Sequence, residues 1–414
     1  MKRIEIQSVE RIIDNNGIKI QYTISVFDGT AVGHTSKLWY QFSNEYESFI
    51  TEELCDSVVV SILNTAVKEQ YNIVSDLPIS ESLYFRLTTQ LIPKVAKSFA
   101  VEEISIRAPL SAIQYSPYAV ATGISCGVDS FTTLYEYTDA CKIDDYCLTH
   151  LTYFQNGAHH SGHVGHGSLA EELFDNQLKD ISEFCKKYGF PLIVVRSNID
   201  ECMYTLFKED DFQKVHTYRN AGFVLLLQKL VRTYYYSSAG FSDIKISTED
   251  SAHYDAILLP NVSTDSTVFY SSNKMLTRLE KTKLISQYEP SYDNLLVCYR
   301  SGKNCCTCLK CVRTMITLDF LGVLDKYSNS FDVDYYRKHR GWYLSKLCMQ
   351  RKYSFLMEEL YQYAISQGIH IPFSCRIKGD FLRFARWMYV HLFEPCHISF
   401  TDTLATRFIE QGKK

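Results

Sequence analysis

The stretch from Ala119 to Tyr135 changes its hydrophobic period part-way along. Ala119 to Gly123 is a short apolar run, small residues follow as far as Gly127, and Val128, Phe131, Leu134 and Tyr135 then recur at helical spacing. This pattern predicts a strand, a tight loop and the start of a helix. Small residues let a backbone wrap closely round a bound group, and amide N–H groups at a helix N-terminus favour an anion. Ser125 and Ser130 add hydroxyls, and Asp129 adds a carboxylate able to hold a magnesium ion beside phosphates. The chemistry predicted for this loop is nucleotide phosphate binding.

Strands and helices are expected to alternate after the loop. The pattern predicts strands at Tyr146–Phe154, Pro191–Arg196 and Ile244–Ser247, and helices at Ser168–Tyr188 and Arg219–Tyr235. Such alternation implies right-handed βαβ units, a parallel sheet and ligands at the carboxyl ends of its strands. Before the loop, residues 1–45 alternate with turn signals at Asn15-Asn16-Gly17 and Asp28-Gly29, which predicts two or three antiparallel strands. Val58, Ile62, Leu63, Ala66 and Val67 then share a helical face, and a second helix is expected over Ser80–Ser98. The division read from the sequence is therefore an N-terminal α+β domain (1–112), an α/β domain (113–325) and a helical C-terminal region (326–414).

The 414 residues are 46% hydrophobic and 22% charged, with a net charge of -4, which suits a globular chain and gives no global field for nucleic acid or an anionic membrane. Any such surface has to be local. The charged, alternating start at Met1-Lys2-Arg3 and the lack of a long apolar stretch predict a soluble, cytoplasmic protein without a membrane partner. Of fourteen cysteines, five fall between Cys298 and Cys311, whereas Cys55, Cys141, Cys185 and Cys348 are scattered and are expected as buried thiols.

Cys298, Cys305, Cys308 and Cys311 have the spacing of a knuckle that wraps a metal, zinc or an iron–sulfur cluster, with Cys306 left over. The run Gln155 to Gly167 sets His159, His160, His163 and His166 among glycines just past a strand end, where Asn156 and His159 can reach substrate, hold a metal or face solvent. His216-Thr217-Tyr218-Arg219-Asn220 opens an apolar helix, so that Arg219 can neutralise phosphate and Asn220 can cap the helix or read a base. Ser247, Glu249 and Asp250 also follow an expected strand end. Arg278 and Lys281, three apart on a short helix, either meet one anion or form a solvated face. In the C-terminal region, Tyr335–Tyr343 and Phe381–Tyr389 interleave basic and aromatic residues. Amphipathic helices with aromatics in the core are expected there rather than a nucleic-acid surface.

Ser125-Cys126-Gly127-Val128-Asp129-Ser130 resembles the Ser-Gly-Gly-x-Asp-Ser loop of the PP-loop ATP pyrophosphatases, with Cys126 at the first glycine. Arg219-Asn220 and the run Asn304 to Met315 are similar to the branch that makes 7-cyano-7-deazaguanine, where the pattern is Asn-Cys-Gly-x-Cys-x-Lys-Cys-x-Arg-Thr-Met and Cys306 again stands at a glycine. The resemblance covers residues 115–325. It implies an adenine nucleotide alpha hydrolase-like fold, ATP with magnesium on Ser125, Cys126, Gly127, Val128, Asp129, Ser130 and Asn220, catalytic roles for Asp129, Ser130 and Arg219, and structural zinc on the four cysteines. It further implies adenylation of a small-molecule or protein acceptor, with Asn156, His159, Glu249, Arg278 and Lys281 near that acceptor. Similar proteins in bacterial antiviral gene clusters make partner proteins an expectation. A tRNA-modifying relative and a silent nucleotide sensor are the alternatives.

Overall fold

The computed structural model describes residues 2–15, 17–158, 168–208, 211–239, 246–298 and 302–393. By compactness they fall into two units, one of residues 1–125 and 129–277, the other of residues 126–128 and those from 278 onward.

The first unit is α/β. Its strands are β1 (Arg3–Asp14), β2 (Gly17–Asp28), β3 (Ala31–Phe42), β4 (Asn72–Ser75), β5 (Ile79–Ser80), β6 (Ile106–Arg107), β7 (Leu110–Ser111), β8 (Ala119–Gly123), β9 (His150–Phe154), β10 (Leu192–Ser197), β11 (Val231–Ser237) and β12 (Val268–Ser272). Its helices are α1 (Asp56–Lys68), α2 (Glu81–Arg86), α3 (Ile92–Phe99), α4 (Val128–Tyr137, whose first residue groups with the other unit), α5 (Ser168–Tyr188), α6 (Ile199–Phe207), α7 (Phe212–Leu225) and α8 (Asp255–Asn261).

One sheet runs in the order β12-β11-β8-β9-β10-β3-β2-β1-β4-β6. The first five strands are parallel. β10 meets β3 antiparallel where Arg196 faces Gln41, and the meander β1–β3 is antiparallel as its alternation predicts. The N-terminal strands therefore continue the same sheet as the strands after residue 113. Ala119, Val120, Ala121 and Thr122 are all buried, as befits a central parallel strand covered on both faces. The chain passes from β8 outward to β9 and β10, then returns to the other side of β8 with β11 and β12. The strand order reverses between β8 and β11, and the crevice beyond the carboxyl ends at such a switch point is where ligands of open α/β sheets bind.

Three expectations for the first unit are corrected. The helix expected over Arg219–Tyr235 ends at Leu225, and β11 occupies its second half. Val231, Thr233 and Tyr234–Tyr236 are β-branched or aromatic, and pairing with β8 and β12 decides their state. The strand expected at Ile244–Ser247 lies partly outside the described residues, its described part is not a strand, and the sheet's last strand is instead β12. Cys141 is not a buried thiol; it is half-buried and disulfide-bonded to Cys147, with the Cα atoms 5.7 Å apart. Cys55, Cys185 and Cys348 are buried thiols as expected.

The second unit is helical, with α9 (Arg278–Ile285), α10 (Leu309–Phe320), α11 (Val333–Lys338), α12 (Arg340–Gln350), α13 (Phe355–Ser366) and α14 (Phe373–Phe393). Tyr336 and Tyr343 are buried in it, as the core reading of the first aromatic run requires. Phe381, Phe384 and Trp387 of the second run are exposed, which corrects that reading for α14. No helix among the described residues is long and apolar enough to cross a membrane.

Candidate active site and candidate metal centre

Residues 124–127 connect β8 to α4, and Ile124 and Ser125 lie at the β8 edge of the switch point. Ser125 is exposed, Asp129 half-buried and Ser130 buried. The Ser125 hydroxyl lies 3.4 Å from that of Ser130, and Gln177 of α5 donates to the Ser125 carbonyl at 3.2 Å. Cys126 has φ +56°, in the left-handed region that favours glycine. Leu296 N–H donates to the Cys126 carbonyl at 2.7 Å within the second unit.

Arg219, on α7, is 1% exposed and pairs with Asp200 of α6, whose side chain is 7% exposed. Its Nη1 also donates to the Asn156 carbonyl at 3.3 Å. Gly157 has φ +105°, and a Cβ there would lie 2.3 Å from Asp200 Oδ1 and 2.9 Å from Arg219 Nη1. The strand-end turn after β9 thus fits over the ion pair only as glycine. Asn220 accepts from the Tyr234 hydroxyl at 3.1 Å, and that hydroxyl is 3.0 Å from Thr152, so a buried polar chain joins α7, β11 and β9.

His216 lies between Tyr236 at the carboxyl end of β11 (Nδ1 to the hydroxyl, 2.9 Å) and Asp250 (Nε2 to Oδ1, 3.2 Å). Thr217 donates to the Tyr236 hydroxyl at 3.1 Å, and Asp250 accepts from Ala252 N–H at 2.8 Å. Burial raises the Asp250 carboxyl, but the bonds from His216 and Ala252 and the charges of His216 and His253 outweigh it and hold the group below its ordinary value. A carboxylate, an imidazole and a phenol in a row can relay a proton. Glu249 is exposed, and His159 lies outside the described residues. Arg278 begins α9, and Lys281 is buried one turn further along it.

No family model, curated protein or solved structure matches the chain.

The second centre is in the helical unit. The Sγ atoms of Cys298, Cys305, Cys308 and Cys311 all lie within 4.8 Å of one another. Cys308 is 3.4 Å from Cys311 and 4.0 Å from Cys298. Four sulfurs about 2.3 Å from a tetrahedral zinc stand about 3.8 Å apart, so the set fits that ion. Cys308 N–H and the Thr307 hydroxyl point at Cys305 Sγ (3.3 and 3.5 Å), and Cys311 N–H points at Cys308 Sγ (3.5 Å). The bond with Cys311 lowers Cys308 to about 5 against burial, and the same bond raises Cys311 together with burial. A dication held by the four sulfurs would take the place of their thiol protons.

Asn304 fastens the knuckle. Its carbonyl accepts from Val297 and Cys298 N–H (2.9 and 3.2 Å), and its amide donates to the Leu295 and Ser330 carbonyls (2.7 and 2.9 Å). Cys306 stands outside the set with φ +57°, and its sulfur accepts from Asp332 N–H at 3.3 Å.

Asp200, Tyr234, Tyr236 and Gln177 are site residues that sequence reasoning misses. Asp200 follows the carboxyl end of β10, and an acid just past a strand end is the signal that could find it. Tyr234 and Tyr236 are hidden as long as their segment is read as a helix.

Proposed function

We propose that the chain is an ATP-dependent enzyme of the PP-loop type, similar to the 7-cyano-7-deazaguanine synthases, that adenylates an acceptor and releases pyrophosphate. One observation carries the reading. Cys126 and Cys306, which stand where the resembled motifs have glycine, both hold a left-handed backbone at φ +56° and +57°. A left-handed backbone is unfavourable for a side-chain-bearing residue by about 1–2 kcal/mol, so the loop keeps a glycine-type turn at a residue that disfavours it. The position of Ile124 and Ser125 just past the carboxyl end of β8, beside the sheet's switch point, supports the same reading.

In this reading the hydroxyls of Ser125 and Ser130 and the N–H groups of Cys126 to Asp129 bind the leaving phosphates. Asp129 would hold magnesium, which neutralises phosphate charge when bound. A carboxylate or amide oxygen of the acceptor attacks the alpha phosphorus and pyrophosphate leaves. A nitrogen nucleophile then attacks the activated carbon and AMP leaves. Arg219, committed to Asp200, acts as a positioning residue for the strand-end turn rather than as a direct phosphate ligand. His216, with one ring nitrogen on Asp250 and the other on the Tyr236 hydroxyl, acts as a positioning residue for that hydroxyl at the carboxyl end of β11. The four cysteines would hold zinc as a closed, structural site.

The test is product analysis of alpha-labelled ATP with magnesium, with and without ammonia and deazaguanine carboxylate, for the intact chain and Asp129→Ala. AMP and pyrophosphate, lost in the variant, are expected. ADP and phosphate would refute the reading of the loop, and intact ATP that still binds would favour a nucleotide sensor.

A further inference from the structure

The outward side of α14 departs from what a core helix shows. Phe373 is 73% exposed, Ile377 55%, Phe381 67%, Phe384 57% and Trp387 51%. At 100° per residue these five fall within one stripe of about 120°, wider than the seam of a helix that merely touches a neighbour. The opposite side of α14 is fixed against α12. Cys375 and Gly379 are buried there, and a Cβ on Gly379 would lie 2.6 Å from Cys348 Cβ and 2.9 Å from the Ser345 carbonyl. The helix cannot turn its stripe inward without losing that contact.

The stripe is flanked by cations. Arg376 and Arg383 lie along one edge and Lys378 along the other. Asp380, the single acidic residue from 373 to 388, falls within the stripe and is paired with Arg383 at 2.9 Å. Arg386 sits 4.7 Å over the ring of Tyr353, on the side of α14 that carries Cys375 and Gly379 rather than on the stripe. A contiguous apolar patch of this kind on a chain of net charge -4 marks an interaction surface.

We propose that this face docks the protein on an anionic lipid surface, with the aromatic side chains entering the headgroup region and the cations meeting the lipid phosphates. Three features select this occupant. The aromatics stand out from the convex surface of a helix, and a fluid interface accepts them without a shaped complement. Cations on both edges repel a second copy, because antiparallel pairing of two such helices brings Arg376 against Arg383. Phe384 and Trp387 stack on each other (6.1 Å, 21°) and Ile377 lies near the centre of the stripe, which suits burial better than stacking on nucleic-acid bases. Docking is interfacial, since no described helix is long and apolar enough to cross a membrane. The proposal is independent of the enzymatic reading.

The experiment is flotation of the full chain with vesicles of phosphatidylcholine alone and of phosphatidylcholine with phosphatidylglycerol. Wild type is compared with Phe381→Ser/Phe384→Ser and with Arg376→Glu/Lys378→Glu. Circular dichroism and bound metal serve as checks that each variant folds. Wild type is expected to float with the anionic vesicles, less at high salt, and each double variant to lose about tenfold or more in partitioning. Trp387 should be quenched by brominated lipid. Failure to float, or flotation unchanged in the Phe381→Ser/Phe384→Ser variant, would overturn the proposal. So would a lipid-free dimer, or capture of a labelled oligouridylate, abolished by the same variants while vesicles stay unbound.

Discussion

The Arg219–Asp200 pair can be tested as a unit. Both side chains are almost wholly buried, and Arg219 Nη1 also serves the Asn156 carbonyl. Removing one side of a buried ion pair typically destabilises by about 3–5 kcal/mol, whereas replacing both by apolar groups of similar volume is often nearly neutral. Asp200→Leu and Arg219→Met alone should each cost about 3–5 kcal/mol. With a urea dependence of about 3 kcal/mol per molar, the midpoint falls by about 1–1.7 M. The double variant should recover to within about 1 kcal/mol of wild type, giving a coupling of several kcal/mol. Urea unfolding followed by far-ultraviolet dichroism measures this, with hydrogen exchange of α6 and α7 reporting the local effect. Additive losses, or a single loss below about 1 kcal/mol, would refute the buried pair and return Arg219 to a role at phosphate.

The purified chain should carry one zinc by elemental analysis and lack a visible absorption band; Cys308→Ser should lose the metal, while Cys306→Ser keeps it. At Cys126, a β-branched side chain is worse still in the left-handed region, so Cys126→Val should lower stability by more than about 1 kcal/mol in urea titration. Gly157→Ala should destabilise by about as much as breaking the ion pair, because its Cβ would collide with Asp200 Oδ1, and differential scanning calorimetry would show it. Burial pushes the Asp56 carboxyl up, against hydrogen bonds from Ser80 and Gln228. The folded state therefore keeps this proton to higher pH than the unfolded chain does. Its contribution is complete below the unfolded value of about 3.9 and is lost as pH rises through the folded one. Urea midpoints of Asp56→Asn should lack that part of the slope seen in wild type.

Elements with a clear period, and chemistry with a set spacing, are legible in the amino-acid order alone. The strand, loop and helix of residues 119–135, the meander of β1–β3 and the long α5 each express a local rule that neighbours reinforce. The cysteine set is legible because residues 305–311 are close in the chain, and only Cys298 has to be brought from further away. Other elements depend on what they meet. The segment Val231–Ser237 is apolar enough for either a helix or a strand, and pairing with β8 and β12 makes it a strand.

Residues far apart in the chain build the site in the same way. Asp200 and Asn156 reach Arg219 from two other segments, and Tyr236 and Asp250 reach His216 from two more; only Arg219 and His216, three apart on α7, are linked by a spacing in the chain. The side of α14 that faces out is likewise set by packing. The same aromatics at the same spacing would be core if the helix were rotated, and it is the close contact of Gly379 with α12 that turns them to solvent. Local period settles which residues share a face, but only the neighbours that a face meets decide whether it is buried.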